Sequence, residues 1–233
     1  MKKITILVFI CIIGISGYIL YRTQYAQRSI LTLSTQTIDT DYYTIKIVAP
    51  LDPAQTLPQV HDAVTRATSE FEKTFNNLST EDIKTLGLGG DRKYTLDIST
   101  KIATSSKTTS YILTLYEDTG GAHGITSVQA FTYDKKGTYI TSDTLFSDPQ
   151  WEKQISTLTR TSLAHTLYND DTKADALVIG TEVGKHNFDQ WYISGDSLIF
   201  IFGDYQVGPY VFGIQEVPIK KEVLHNILNN HVI

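Results

Sequence analysis

The chain has 233 residues, with 20 Lys+Arg against 25 Asp+Glu, 41% hydrophobic and 19% charged residues, and a formal charge of −5. Lys2, Lys3 and Arg22 sit in an acid-free opening segment, leaving 17 basic residues against 25 acids, a formal −8, for residues 23–233. This is the composition of a globular chain, and an acidic body argues against a general nucleic-acid binder.

Residues 4–21 carry no charge, follow Lys2 and Lys3 and close at Arg22. At about 1.5 Å per residue they span roughly 27 Å, enough to cross a bilayer. The run is longer than the apolar part of a cleaved signal and exits through Tyr18, Tyr21 and Tyr25, so it is read as an uncleaved anchor over residues 1–22. The positive-inside rule then puts the paired lysines in the cytoplasm and the body outside, as a single-pass protein of the cell membrane. Cys11, the one cysteine, lies inside the apolar run. The exported part therefore has no thiol for a disulfide, a metal or a nucleophile.

Residues 23–38 are polar without sustained periodicity and read as a tether, with the folded body starting near Asp39. Tyr43, Ile45 and Ile47 alternate with Thr44 and Lys46, a half-buried strand. Val60, Val64, Ala67, Phe71, Phe75 and Leu78 then recur at spacings of three and four after Pro58, which predicts a helix. Ser79 and Asp82 have the spacing of a capping box for a short helical piece that Gly87-Leu88-Gly89-Gly90 stops. Residues 94–116 are rich in Thr, Ile and Tyr with period two, giving two long antiparallel strands turned at residues 104–109, with Tyr111, Leu113 and Leu115 on one face.

Gly120-Gly121-Ala122-His123-Gly124 leads into a strand at residues 125–133, a turn at Asp134-Lys135-Lys136-Gly137 and a short strand at 138–141. Asp148-Pro149 opens a second helix to about Leu167, with Trp151, Ile155, Leu158, Ser162 and Leu163 inward. Strands at 188–193 and 198–202 flank Ser194-Gly195-Asp196-Ser197, followed by a strand at 211–217 and a terminal helix from about Lys220. Strands in runs, without regular βαβ alternation, indicate an α+β fold with a largely antiparallel sheet and flanking helices.

Several residues have the chemistry of a site. The glycines around His123 let the backbone take unusual conformations, so the imidazole is open to two readings: a ligand or acid/base group, or a ring that bonds a backbone carbonyl in a strand crossover. Tyr205 and Tyr210 flank the Gly208-Pro209 turn, where they either stack on a sugar or a partner protein or pack inward with internally bonded hydroxyls. The six histidines show no His-x-x-x-His or His-x-His spacing, so no metal site is expected, and neither a Gly-x-Ser-x-Gly elbow nor a phosphate loop is present. No cofactor is implied. Glu117-Asp118 and Asp170-Asp171 could suggest glycosidase acids, but adjacent strand residues point to opposite faces.

Thr119 through His123 and Gly124, the Asp134-Lys135-Lys136-Gly137 turn, Leu145-Phe146 before Trp151, and residues 205–213 together resemble a bacterial family. It is the C-terminal domain of RsiV-type anti-sigma factors and of some peptidoglycan deacetylases, and residues 39–118 resemble the companion domain that precedes it. The resemblance implies two extracytoplasmic subdomains, 39–118 and 119–233, and, from the anti-sigma members, binding of lysozyme. Only Met1–Lys3 precede the apolar run and the chain closes at Ile233, so the module is expected without a cytoplasmic sigma-binding region or a deacetylase domain. The reading is a non-enzymatic binding module of the envelope without catalytic residues, which recognises a lysozyme-like protein or peptidoglycan through Gly121, His123, Tyr205 and Tyr210. The alternative is a wall-polysaccharide enzyme pairing His123 with Asp118 or Asp204.

Overall fold

The computed structural model describes residues 32–52 and 57–229. The expected anchor at residues 1–22 and most of the tether lie outside them. Among the described residues no helix is long and apolar enough to cross a membrane. The described residues from Leu33 onward form one compact unit.

The unit begins earlier than the sequence suggests. Residues 34–38, assigned above to the tether, belong to strand β1 (Ser34–Asp39), antiparallel to β2 (Tyr43–Ala49). Most β1 side chains are exposed, so burial leaves no apolar alternation to detect, and main-chain pairing to β2 holds the strand. Thr40 closes the turn, its hydroxyl accepting from the Tyr43 N–H at 2.9 Å.

Helix α1 (Pro58–Asn76) carries proline in its first turn and buries Val60, Ala63, Val64 and Phe71. Phe75 instead packs on Tyr42 and Tyr43. Helix α2 (Thr80–Leu86) has the expected capping box between Ser79 and Asp82 and stops at Gly87, with φ +63°. The crossover through these helices makes β2 parallel to β3 (Tyr94–Thr104). From there β4 (Thr108–Asp118), β5 (Ile125–Asp134) and the two-residue β6 (Tyr139–Ile140) continue antiparallel, completing the sheet order β1-β2-β3-β4-β5-β6. The boundary expected at residue 118 falls between the paired neighbours β4 and β5.

Helix α3 (Ser142–Leu145) precedes α4 (Trp151–Leu167), where the Trp151 ring stacks on Phe146 at 4.1 Å. Ser162, expected inward, is exposed, while Ser156 and Thr159 face in and satisfy their hydroxyls on the Thr181 and Ile155 carbonyls. A short helix α5 (Asp175–Gly180) had no periodic signal of its own.

The second sheet is β7 (Trp191–Ser194), β8 (Ser197–Phe202) and β9 (Gln215–Lys220), all antiparallel. The strand expected at 211–217 begins only at Gln215: Tyr210–Phe212 form a 3-10 turn, and Gly213, at φ +60°, redirects the chain. The terminal helix is likewise reduced to a 3-10 turn at Lys221–Leu224.

Alternation along the central strands builds the layers. Ile112 of β4 meets Tyr192, Ile199 and Ile201 between the two sheets. Tyr111 turns the other way, its ring edge-on to Tyr133, whose hydroxyl donates to Gln59 of α1 at 2.9 Å. Ile193, Leu198, Phe200 and Phe202 face Ile155 and Leu163 of α4. The order through the unit is α1, six-stranded sheet, three-stranded sheet, α4. It is a mixed α+β fold with flanking helices and, apart from β2–β3, antiparallel sheets.

Candidate functional site

Two loops meet at one end of the larger sheet. After β4, Asp118 accepts the Gly120 N–H at 2.9 Å and tightens the turn that carries His123. Gly124 is the packing pivot of this loop. A Cβ there would lie 2.4 Å from the Tyr116 ring, so only glycine lets the loop lie flat on that ring.

The second loop leaves β8 at Gly203. Gln206 folds back, accepting the Gly203 N–H at 2.9 Å and donating to the Gly180 and Asn187 carbonyls. Gly180 is needed for that approach, since a Cβ would meet the Gln206 carbonyl oxygen at 2.0 Å. The folded-back loop holds Tyr205 at φ +63°, a left-handed conformation uncommon for a bulky side chain. Asp204 ties the loops together by accepting the Thr126 N–H at 3.2 Å.

His123, Tyr205 and Tyr210 thereby form one cluster. The His123 ring stacks on Tyr210 with centroids 3.9 Å apart and planes 18° from parallel, and Tyr205 lies 5.5 Å from Tyr210. His123 Nδ1 is 2.8 Å from the Gly124 carbonyl, and Nε2 is 3.1 Å from the Tyr205 hydroxyl. A carbonyl only accepts, so Nδ1 carries a hydrogen; in the neutral ring Nε2 then accepts from Tyr205. Tyr210 also donates to the Gly124 carbonyl, at 3.2 Å, and desolvation, followed by the Asp204 charge, pushes its hydroxyl above the ordinary tyrosine range. The His123 ring bonds a backbone carbonyl, the second of its two readings, and its side chain stays exposed.

Gly121 lies in the wall beside the cluster. It lines, with His123, a groove of about 530 Å³ between α1 and β5 whose walls include Arg66, Glu70, Glu117 and Ile125. Glu117 continues the alternation of Tyr111, Leu113 and Leu115, so parity along β4 could have placed it there; Arg66 and Glu70 lie on the polar side of α1, where sequence gave no reason to choose them. Around the cluster Ile125, Tyr205 and Val211 are 59%, 56% and 84% exposed. Asp118 and Asp204, the carboxylates considered as partners of His123, each accept a backbone N–H instead. Among the described residues no group of three or more His, Cys, Asp or Glu side chains could hold a metal ion.

The family model described as a protein of unknown function (DUF3298) matches residues 143–222, from α3 through β9. This stretch includes Tyr205 and Tyr210 but not His123. The chain is 32% identical over 143 residues to the peptidoglycan-N-acetylmuramic acid deacetylase PdaC of Bacillus subtilis, a match covering 59% of this chain and 30% of that protein. Its fold is shared with a DUF3298 family protein of Pseudomonas aeruginosa (TM-score 0.56, 17% identity, 86% of this chain and 96% of the other). It is shared too with a member of that family from Bacteroides fragilis (TM-score 0.54, 18% identity, 87% and 95%). The chain thus carries a segment similar to the DUF3298 family and is related to part of a peptidoglycan deacetylase.

Proposed function

We propose that this protein is a non-enzymatic binding module held at the bacterial cell membrane by residues 4–21, with its body outside the cytoplasm, and that its ligand is cell-wall glycan. The observation that carries the reading is the cluster of exposed His123 and Tyr205 on half-buried Tyr210, beside a polar groove. Rigid rings offer an apolar face and a hydroxyl to a sugar, and carboxylates and amides in the groove can bond its hydroxyls. Similarity to a protein named for its action on peptidoglycan supports this ligand class. In the alternative, an enzyme acting on wall polysaccharide, His123 would act with Asp118 or Asp204, but both carboxylates bond backbone amides and His123 bonds Tyr205, an arrangement better suited to presenting a surface.

The test is calorimetric titration of the protein with soluble, peptide-free peptidoglycan glycan strands. Saturable binding that weakens about tenfold in Tyr205→Ala is expected. Binding that ignores this substitution in a folded variant, or no binding, overturns the reading. A lysozyme-like protein is the second reading, favoured by the acidic body and by exposed Ile125 and Val211. Saturable, salt-sensitive binding of lysozyme without glycan binding would select it.

A further inference from the structure

Strand β5 is paired unequally. One side matches β4 along its whole length, from Glu117↔Ile125 to Thr108↔Asp134. The other side pairs with β6 only at Thr132↔Ile140 and Tyr133↔Tyr139, after which the chain turns into α3. Among the described residues, 125–131 therefore border no strand on that side.

The outward N–H groups of this edge are identifiable. Thr126 donates to Asp204 Oδ2 at 3.2 Å, and Ala130 donates to Gln190 Oε1 at 2.9 Å. Both point away from β4, so the two-residue alternation puts the Val128 N–H and C=O on the same open edge, between the two side-chain caps. Side-chain caps of this kind guard an edge against indiscriminate pairing while leaving the space between them free.

That space is a groove of about 600 Å³, with residues 127–132 along one wall, residues 139–142 closing the end where β6 stops, and residues 189–191 opposite. Arg66 of α1 projects into it and also lines the groove beside His123. Arg66 forms no ion pair with any described residue.

We propose that the β5 edge at residues 126–130 is a strand-addition site for an extended polypeptide segment of a partner protein, antiparallel to β5 in the line of β6, with an acidic side chain opposite Arg66. The Val128 N–H and C=O supply one hydrogen-bonded pair without disturbing either cap, and a longer partner strand displaces the flexible Gln190 side chain to reach Ala130. Peptide matches this edge better than glycan because its own donors and acceptors alternate at the strand repeat of about 3.3 Å per residue. The unpaired guanidinium sets the charge of the segment.

The probe is a blocked nonapeptide of alternating Thr and Val with Glu at its centre, added at millimolar concentration to the intact protein, with Val128 amide exchange as the readout. Exchange is expected to slow about tenfold. The same peptide N-methylated at alternate backbone nitrogens should have no effect. Arg66→Gln, on an exposed part of α1, should weaken the Glu peptide about threefold and remove its preference over a Lys-centred one. Unchanged Val128 exchange, or equal binding of the N-methylated peptide, overturns the proposal. Glycan strands that slow Val128 as the peptide does would assign the groove to glycan and overturn it too. Tyr205→Ala should leave the peptide untouched, so failure here and failure of the glycan reading are separable.

Discussion

Lys101 of β3 and Glu216 of β9 meet across the two sheets, Nζ to Oε1 at 3.1 Å, and both bond the Tyr192 hydroxyl, at 2.9 and 2.8 Å. The sheets are thus joined by a three-membered polar clamp at the margin of the Ile112, Ile199 and Ile201 core. Desolvation opposes the Lys101 charge, but its bonds to Tyr192 and Glu216 raise it above the ordinary 10.5; desolvation likewise raises the Tyr192 hydroxyl above 10.0. Groups whose folded values are raised stabilise the fold at lower pH and lose that contribution as pH climbs through the folded values. Stability should therefore fall above about pH 10, and less steeply in Tyr192→Phe. At neutral pH that substitution should cost about 1 kcal/mol, read from urea unfolding.

Gly124→Ala tests the pivot of the His123 loop. The added methyl would sit inside contact distance of the Tyr116 ring, so either ring or loop must move. A loss of about 1–3 kcal/mol is expected by analogy with overpacked cores. The same substitution in a Tyr116→Ala background should cost much less, because the obstruction is gone. Equal costs in both backgrounds would show that the Tyr116 contact does not govern the loop.

The regular elements were legible where one face is buried and the other wet. The apolar spacing of α1, the alternation of β3 and β4 and the Ser79–Asp82 cap each follow from local physics. Strand β1 was not, because its side chains are mostly exposed and its stability comes from pairing with β2. The 211–217 strand was overextended because Val211 and Phe212 have strand propensity, whereas the turn that overrides it is fixed by Gly213 and by contacts such as Phe212 with Tyr168. At the site, the glycine loop and the tyrosine turn are visible as separate motifs. That His123 and Tyr205 touch across 82 positions is set by tertiary packing, and the Arg66 groove arises only when α1 lies over β5.

Ser110 is buried between the sheets, within 3.2 Å of the Ile193 N–H and 2.8 Å of the Thr132 hydroxyl. Ser110→Ala leaves that buried N–H without its partner and should cost about 1–3 kcal/mol, more than an exposed serine would. Ser110→Thr keeps the hydroxyl but adds a methyl to a filled layer, so it should fold with an intermediate loss. Chemical denaturation of both variants checks the order. A neutral Ser110→Ala would mean that the hydroxyl does not couple the sheets.

Tyr205 separates stability from recognition. Its left-handed backbone disfavours any residue with a Cβ, yet its ring is more than half exposed and buries little in return. Tyr205→Gly should therefore leave the fold equally stable or raise its stability by up to about 1 kcal/mol, despite losing the bond to His123. If the ring is kept for a ligand, the same variant should lose glycan affinity about tenfold. Thermal unfolding and titration of this one variant read both effects. Higher stability with lower affinity is what a residue held in strain for binding produces, whereas a clear loss of stability would make Tyr205 a structural member of the cluster and shift the recognition surface toward Ile125 and Val211.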